Sequence, residues 1–283
     1  MKPLFGWVGA KNWLWKRIKD ILIEDKHNTY IEPFLGGGAI AWNLMKYCDE
    51  HNINKRFILS DANPELMNFY KCLKFYPEEL IAELDELWNS PETFYDIRDK
   101  YNEVMGKLPD FLHINRAAMF LYIMKCGYRK LWRINKNGKL TTPKGFRVNK
   151  LYEKEHLMEA SRLLRKYAEL QTCEFTEHRE SGLYYLDPPY VDTFDQYCTA
   201  ETVTNERLNN FITSLNNSTV FISNNERYIP PPGSDQILKV SVGEKMRPNV
   251  DKTRKELLWC YNCAIPSKKE ENRDKSDRAN LDK

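Results

Sequence analysis

The sequence predicts an α/β fold: a mixed sheet with helices on both faces, interrupted by an inserted subdomain of helices and a hairpin. Three observations carry this. Strand-like runs at Tyr30–Phe34, Arg56–Ser60 and Leu183–Leu186 end in turn-forming or acidic residues, and the first two feed helix-like segments in the βα rhythm of a parallel sheet. The first strand meets its helix through a glycine turn, Leu35-Gly36-Gly37-Gly38-Ala39. From 65 to 126 the rhythm stops, and apolar residues recur only at three- and four-residue spacing, so helices must be inserted there.

At 283 residues, 42% hydrophobic and 13% aromatic, the chain can bury the core of one α/β domain plus an insertion. No apolar run approaches a membrane span, and Met1–Trp7 lacks the charged-then-apolar order of a signal peptide, so a cytoplasmic protein is expected. Seven cysteines, at 48, 72, 126, 173, 198, 260 and 263, are odd in number and lack framework spacing, which favours reduced thiols. Cys260-x-x-Cys263 has no second pair and no nearby histidine, so no metal is expected.

In chain order, Phe5-Gly6-Trp7-Val8-Gly9-Ala10-Lys11 forms a loop able to approach a ligand closely, ahead of helix-like Trp13–Ile18. Lys11 is suited to meet a carboxylate or phosphate, although an ordinary N-terminal loop reads the same way. After the strand Tyr30–Phe34, the glycine turn and the helix Ile40–Tyr47 would let a ligand lie on backbone amides at a helix N-terminus. G-x-G-x-x-G and G-K-[ST] are both missing, which excludes the standard dinucleotide fingerprint and the P-loop. The second strand ends in Asp61, about 20 residues beyond the turn, where a ribose diol is usually held. Asp61 could equally cap the helix that follows. Leu66–Tyr70, Leu80–Trp88, Phe94–Tyr101 and Ala117–Met124 then read as helices.

Between Arg116 and Lys150 lie ten Lys/Arg and no Asp or Glu, whereas the whole chain is only +3. With Tyr122, Tyr128, Trp132 and Phe146 interleaved, this block has the footprint of a nucleic-acid surface rather than a solvated face of mixed sign. Arg116, Lys125, Tyr128, Arg129, Arg133, Asn135 and Lys139 are its candidate DNA contacts. Asn137-Gly138 sits between the short extended runs of Leu131–Leu140 and signals a hairpin able to enter a major groove.

A helix is expected over Leu151–Tyr167 and strands at Cys173–Phe175 and Leu183–Leu186. Beyond them come a helix from Thr204 to about Leu215, a strand at Val220–Asn224, and a loop at Pro230–Pro232. Gln236–Val242 and Lys255–Tyr261 read as a closing hairpin with Lys245, Arg247, Lys252 and Arg254 on its connection. Residues 266–283, charged and nearly devoid of apolar side chains, predict a disordered tail.

Asp187-Pro188-Pro189-Tyr190 caps the run Leu183–Leu186, and its prolines cannot extend a ladder. It therefore sets a carboxylate and a ring at the carboxyl end of a sheet. Asp187 and a proline carbonyl can accept both hydrogens of an aromatic amine, which aims the nitrogen lone pair at an electrophile. Tyr190 offers a face for stacking a base, worth roughly 1–3 kcal/mol. No histidine base is needed, because such an amine does not lose its proton first. A proline-stiffened turn with a solvated Asp is the plain alternative.

Taken together, F-G-W-V-G-A-K, Y-I-E-P-F-L-G-G-G-A, L-S-D-A-N-P-E-L, L-W-R-I-N-K-N-G-K-L-T-T-P-K-G, L-D-P-P-Y and T-R-K-E-L-L resemble, in order over roughly residues 3–262, the Dam-type (alpha-group) DNA adenine N6-methyltransferases. The resemblance implies a Rossmann-like class I methyltransferase fold with a discontinuous catalytic domain, 1–64 and 153–265, around a target-recognition subdomain at 65–152. It implies S-adenosylmethionine as methyl donor, held by Trp7, Lys11, Phe34, Gly36, Gly38, Asp61 and Asp187. Asp187, Pro188, Pro189 and Tyr190 would act on an adenine flipped out of double-stranded DNA. A monomer is implied, with a cognate restriction endonuclease as partner where the chain serves a restriction-modification pair.

The chain departs from the family pattern inside the insert. Where N-R-x-G-[FY]-N-G-L-x-R is usual, Met124–Arg133 reads M-K-C-G-Y-R-K-L-W-R, so two asparagines are missing; F-N-V-P is replaced by Leu140-Thr141-Thr142-Pro143. Retained chemistry with an altered or relaxed target is expected. A DNA-binding protein without turnover, or a methyltransferase for RNA adenine, cytosine N4 or a glutamine amide, are the competing readings; Asp before Pro-Pro-Tyr favours adenine and the hairpin favours duplex DNA.

Overall fold

The computed structural model describes residues 1–106, 112–190, 203–247 and 250–263, with backbone alone for 241–254. In chain order it contains α1 (Trp15–Glu24), β1 (Thr29–Glu32), α2 (Ala39–Glu50), β2 (Arg56–Asp61), α3 (Pro64–Phe75), α4 (Pro77–Asn89), α5 (Phe94–Val104), α6 (Ile114–Cys126), α7 (Lys154–Tyr167), β3 (Ala168–Thr172), β4 (Leu183–Leu186), α8 (Asn205–Ser214), β5 (Thr219–Asn225), β6 (Ser234–Arg247) and β7 (Val250–Tyr261). The strands form one sheet in the order β3-β2-β1-β4-β5-β7-β6. Pairs among β1 to β5 are parallel, and β7 runs antiparallel to both of its neighbours.

Side-chain alternation explains why both faces of this sheet are covered. Tyr30, Phe57, Leu59, Leu183, Tyr185 and Phe221 belong to one apolar cluster together with residues of α1, α2, α3 and α7. Ile31, Ile58, Tyr184, Leu186, Val220 and Ile222 point the other way and pack with Leu208, Phe211 and Ile212 of α8. The strand order reverses between β1 and β4, which opens a crevice at their carboxyl ends. Residues 33–38 and 187–190 follow those two strands.

Local signals start the helices. Asn63 caps α3, its side chain accepting from the backbone N–H groups of Glu65 and Leu66, with Pro64 at the first helical position. Thr93 and Asp96 form a capping box at α5, and Thr204 caps α8. In the insert, α6 is apolar nearly all round and buried against α3, α4 and α5. No helix among the described residues is long and apolar enough to cross a membrane.

Three expectations need correction. The strand expected at Cys173–Phe175 lies just upstream as β3, at the sheet edge with Glu169 and Thr172 exposed, and Phe175 opens a short 3₁₀ turn. The closing hairpin is longer than expected, so Lys245, Arg247, Lys252 and Arg254 lie on its strands, not on a connection. The tail at 266–283 lies outside the described residues.

The third correction concerns Arg116, which was expected on the DNA surface. It is buried in the first turn of α6, with its Nε 3.2 Å from Glu65 Oε2 and Nη1 donating to the Val104 carbonyl. Glu65 also accepts from the Tyr101 hydroxyl at 2.7 Å and from Gly106 N at 3.2 Å, so one carboxylate fastens α3, α5 and α6 together. Counting charge along the sequence assigned Arg116 to the basic block because its partner lies in another helix. Truncation leaves Glu65 buried without its cation. Arg116→Ala is expected to cost about 3–5 kcal/mol of stability, seen as a lowered melting temperature, while the salt dependence of DNA binding by folded protein stays that of wild type.

Candidate active site

The glycine turn is fastened to the end of β2 by backbone. Leu35 N donates to Ser60 O and Gly36 N to Asp61 Oδ2, both at 2.9 Å. The turn needs glycine at two points. Gly36 (φ 46°) and Gly38 (φ 66°) occupy the left-handed region, and a Cβ at Gly36 would lie 2.7 Å from the Trp7 ring. From α3, the Tyr70 hydroxyl donates to Gly36 O at 2.8 Å.

Asn63, not Asp61, caps α3. Asp61 Oδ1 accepts from Asn63 N and Oδ2 from Gly36 N, and each oxygen has a further lone pair with which to accept. Burial pushes its carboxyl up to about 6, against the pull of those two N–H groups.

On the β4 side, Lys11 is 3% exposed, donates to Gly9 O at 3.3 Å and reaches three side chains. Its Nζ donates to Asp187 Oδ1 at 3.0 Å and to the Tyr190 hydroxyl at 2.7 Å, and lies 3.5 Å from Glu256 Oε2. The Tyr190 hydroxyl in turn donates to Glu256. Burial raises the Asp187 carboxyl above the usual aspartate range, opposed by Lys11 and reinforced by Glu256. At the end of β1, Glu32 is buried and accepts from the Tyr30 hydroxyl at 2.6 Å. Burial pushes it up to about 8, with Asp187 and Asp61 adding to the rise.

The structure thus brings Trp7, Gly36, Gly38 and Asp61 together at one end of the crevice and Lys11, Asp187 and Tyr190 at the other. Phe34 is half-buried, with its ring 5.1 Å from that of Phe175. The sequence reading missed Glu32 and Glu256. An acid closing an apolar strand was the signal for Glu32; Glu256 follows a charged stretch and offered none. It also gave Tyr190 only a ring to use, whereas its hydroxyl has two partners.

Of the candidate DNA contacts, Tyr128, Arg129, Arg133, Asn135 and Lys139 are exposed. Arg129 lies 5.4 Å from the centre of the Tyr128 ring, and Tyr128 is 6.4 Å from Phe146, itself 88% exposed. The expected hairpin is present in short form: Ile134 bridges Leu140, Asn135 N donates to Lys139 O, and Gly138 (φ 72°) makes the turn. Asn135 Oδ1 is committed to that turn, accepting from Asn137 N and Lys139 N. Hairpin residues and α5 enclose a cavity of about 460 Å³ lined by Arg98, Asn102, Asn135 and Lys139 among others. Lys125 stands apart, half-buried beside a small cavity with Leu4, Glu153 and His156.

A sheet in which only β7 is reversed, with a glycine turn and an acidic strand end at the β1–β4 switch point, defines a Rossmann-like class I methyltransferase fold. Residues 7–245 match the family of D12 class N6 adenine-specific DNA methyltransferases. The chain is 30% identical over 208 residues to the type II methyltransferase M.MjaIII of Methanocaldococcus jannaschii, covering 67% of this chain and 69% of that one. It is 29% identical over 231 residues to the type II methyltransferase M.CviBI of Paramecium bursaria Chlorella virus NC1A, covering 78% and 82%. It is also 29% identical over 198 residues to the DNA adenine methylase of Escherichia coli strain K12, covering 67% and 65%. The chain belongs to the D12 class family, whose members use S-adenosylmethionine to methylate adenine N6 in DNA.

Glu32 makes the site's electrostatics measurable. Between its ordinary value of 4.5 and about 8, the folded protein holds a proton that the unfolded chain has released, so its contribution to stability falls as pH rises through that window. Glu32→Gln keeps an acceptor for Tyr30 without the titration. The melting temperature of Glu32→Gln relative to wild type is therefore expected to climb between pH 5 and pH 8.5, by roughly 5 °C; thermal melts across that range check it.

Proposed function

We propose that this chain methylates the N6 amino group of an adenine flipped from duplex DNA, with Asp187 and Tyr190 receiving the base. The observation that carries the reading is the Asp187 carboxylate, set at the end of β4 across the crevice from the glycine turn and buried enough to hold its carboxyl above the ordinary aspartate range. A desolvated carboxylate is a strong acceptor for amine hydrogens. By holding both, Asp187 and a carbonyl of Pro188 or Pro189 would turn the nitrogen lone pair towards the methyl donor. The Tyr190 ring would stack on the extruded base.

The chain's residues fit S-adenosylmethionine. Asp61 has the spare lone pairs to accept the ribose hydroxyls, Trp7 and Phe34 offer apolar walls, and Gly36 and Gly38 keep the turn free of side chains. Lys11 and Asp187 would border the reacting end. When bound, that cofactor supplies a methyl group on a sulfonium, electrophilic enough for direct attack by a neutral amine.

We assign target recognition to residues 65–152 and catalysis to 1–64 with 153–265. Because α3 packs on β2, β3 and α7 as well as on α6, it joins the two parts. Tyr128, Arg129, Arg133 and Lys139 would meet the DNA, Asn135 offering only its amide N–H groups. Two relatives bear the names of type II methyltransferases, which supports a restriction-modification setting with a cognate endonuclease.

Asp187→Ala is expected to abolish methyl transfer while DNA affinity stays within about threefold, because phosphate contacts supply most of the binding. Sequencing of modified bases in DNA from cells expressing each form reads both the loss and the target. Arg129→Gln together with Arg133→Gln should flatten the slope of log affinity against log salt by about 1–2. An unchanged slope in a filter-binding titration would move the DNA surface elsewhere.

A further inference from the structure

We propose that Glu256 is a positioning residue of the methyl-transfer centre, drawing the Lys11 ammonium and the Tyr190 hydroxyl towards β7 so that Asp187 keeps acceptor strength for the adenine amine. The inference rests on the reading of Asp187 and Tyr190 given above.

The place of Glu256 in the sheet raises the question. Along β7, Glu256, Leu258 and Cys260 share one face, and Leu258 and Cys260 lie in the apolar core with Tyr185 and Phe221. An acid at the end of that row is 9% exposed, which is costly unless it is paired. Its partners are Lys11, 3.5 Å away, and the Tyr190 hydroxyl, which donates to it. Both are residues of the site, not of the sheet.

The charge count gives the pairing a consequence. Lys11 alone against Asp187 would be a closed ion pair, its ammonium occupying an oxygen that has to accept amine hydrogens. With Glu256 present, one cation is shared between two carboxylates, and the cluster retains a net negative charge. The same carboxylate fixes the Tyr190 ring through its hydroxyl, so the stacking face is set before a base arrives. A purely structural ion pair would satisfy the same contacts, and the two roles separate in their dependence on pH.

The groups around Asp187 are Lys11 from the first loop, Tyr30 and Glu32 from β1, Tyr185 from β4, Tyr190, and Glu256 from β7. Burial is the first cause that holds the Asp187 carboxyl up, and of these groups Glu256 carries the like charge that adds to it. Removing the Glu256 charge leaves Lys11 wholly on Asp187, which lowers that carboxyl.

The test is single-turnover methylation of a duplex bearing the chain's own site, from pH 5.5 to 9, for wild type, Glu256→Gln and Glu256→Asp, with melts and DNA affinity in parallel. Glu256→Gln is expected to slow transfer on the order of 10- to 100-fold, to move the acid limb of the profile down by roughly one pH unit, and to leave DNA affinity within about threefold. Glu256→Asp should recover part of the rate. Wild-type rate and limb in Glu256→Gln would overturn the proposal, as would a slowed reaction whose acid limb does not move. Should Glu256→Gln fail to fold, Glu256→Asp decides, since it draws the carboxylate back by one methylene: slowed transfer supports the proposal, and wild-type turnover overturns it. Asp187→Ala run alongside separates the two readings. Activity surviving there removes both, whereas activity lost there and untouched in Glu256→Gln removes Glu256 alone.

Discussion

One ammonium group, Lys11 Nζ, joins three parts of the chain that are distant in sequence: the N-terminal loop, the end of β4 at Asp187 and Tyr190, and β7 at Glu256. Burying a lone lysine at 3% exposure, or two carboxylates without a cation, would cost several kcal/mol in each case. Together they satisfy one another. The site is therefore held by its own electrostatics, and each member is stable in place only while the others are present.

The topology makes that meeting possible. Because strand order reverses between β1 and β4, the loops after these strands diverge and leave a crevice in which acids from β1, β2 and β4 converge. Glu32, Asp61 and Asp187 all sit higher in pKa than their ordinary values, with burial the first cause and mutual repulsion a contributor for Glu32. At neutral pH Glu32, near 8, is mostly protonated, while Asp61, near 6, is mostly ionised. Two acids in one crevice thus present different faces, one neutral and packed, the other charged and able to accept hydroxyls.

The strands that feed the crevice were legible in the sequence because each couples an apolar run to a chemically odd ending: three glycines, an Asp before Ala-Asn-Pro, or Asp-Pro-Pro-Tyr. β3 was not, since an edge strand with Glu169, Gln171 and Thr172 has no apolar run to announce it. Arg116 was misplaced for a related reason: its neutralising partner Glu65 is close only in three dimensions. Glu256 was hidden among the charges of Lys252, Arg254 and Lys255, where its burial could not be seen. Local pattern reports an element and its ending, but not which charges end up facing one another.

The recognition insert holds a conformational contradiction that bears on target choice. Arg129 and Lys130 stand where the family pattern has Asn-Gly, and both keep positive φ, 53° and 56°. That conformation suits Asn and Gly but costs other residues about 1–2 kcal/mol each. Surrounding contacts impose it: Tyr128 N donates to Pro143 O, Gly145 N to Cys126 O, and Gly127 pairs with Lys144, with a Cβ at Gly145 lying only 2.8 Å from Gly127 backbone. Where the resemblance places a neutral pair, this chain therefore carries two cations in a left-handed backbone. Cations at a DNA surface gain most from phosphates, which fix position and carry no sequence information. On the proposed DNA surface this loop would favour backbone affinity over base reading, and sequence choice would rest more heavily on Arg133 and the remainder of the hairpin.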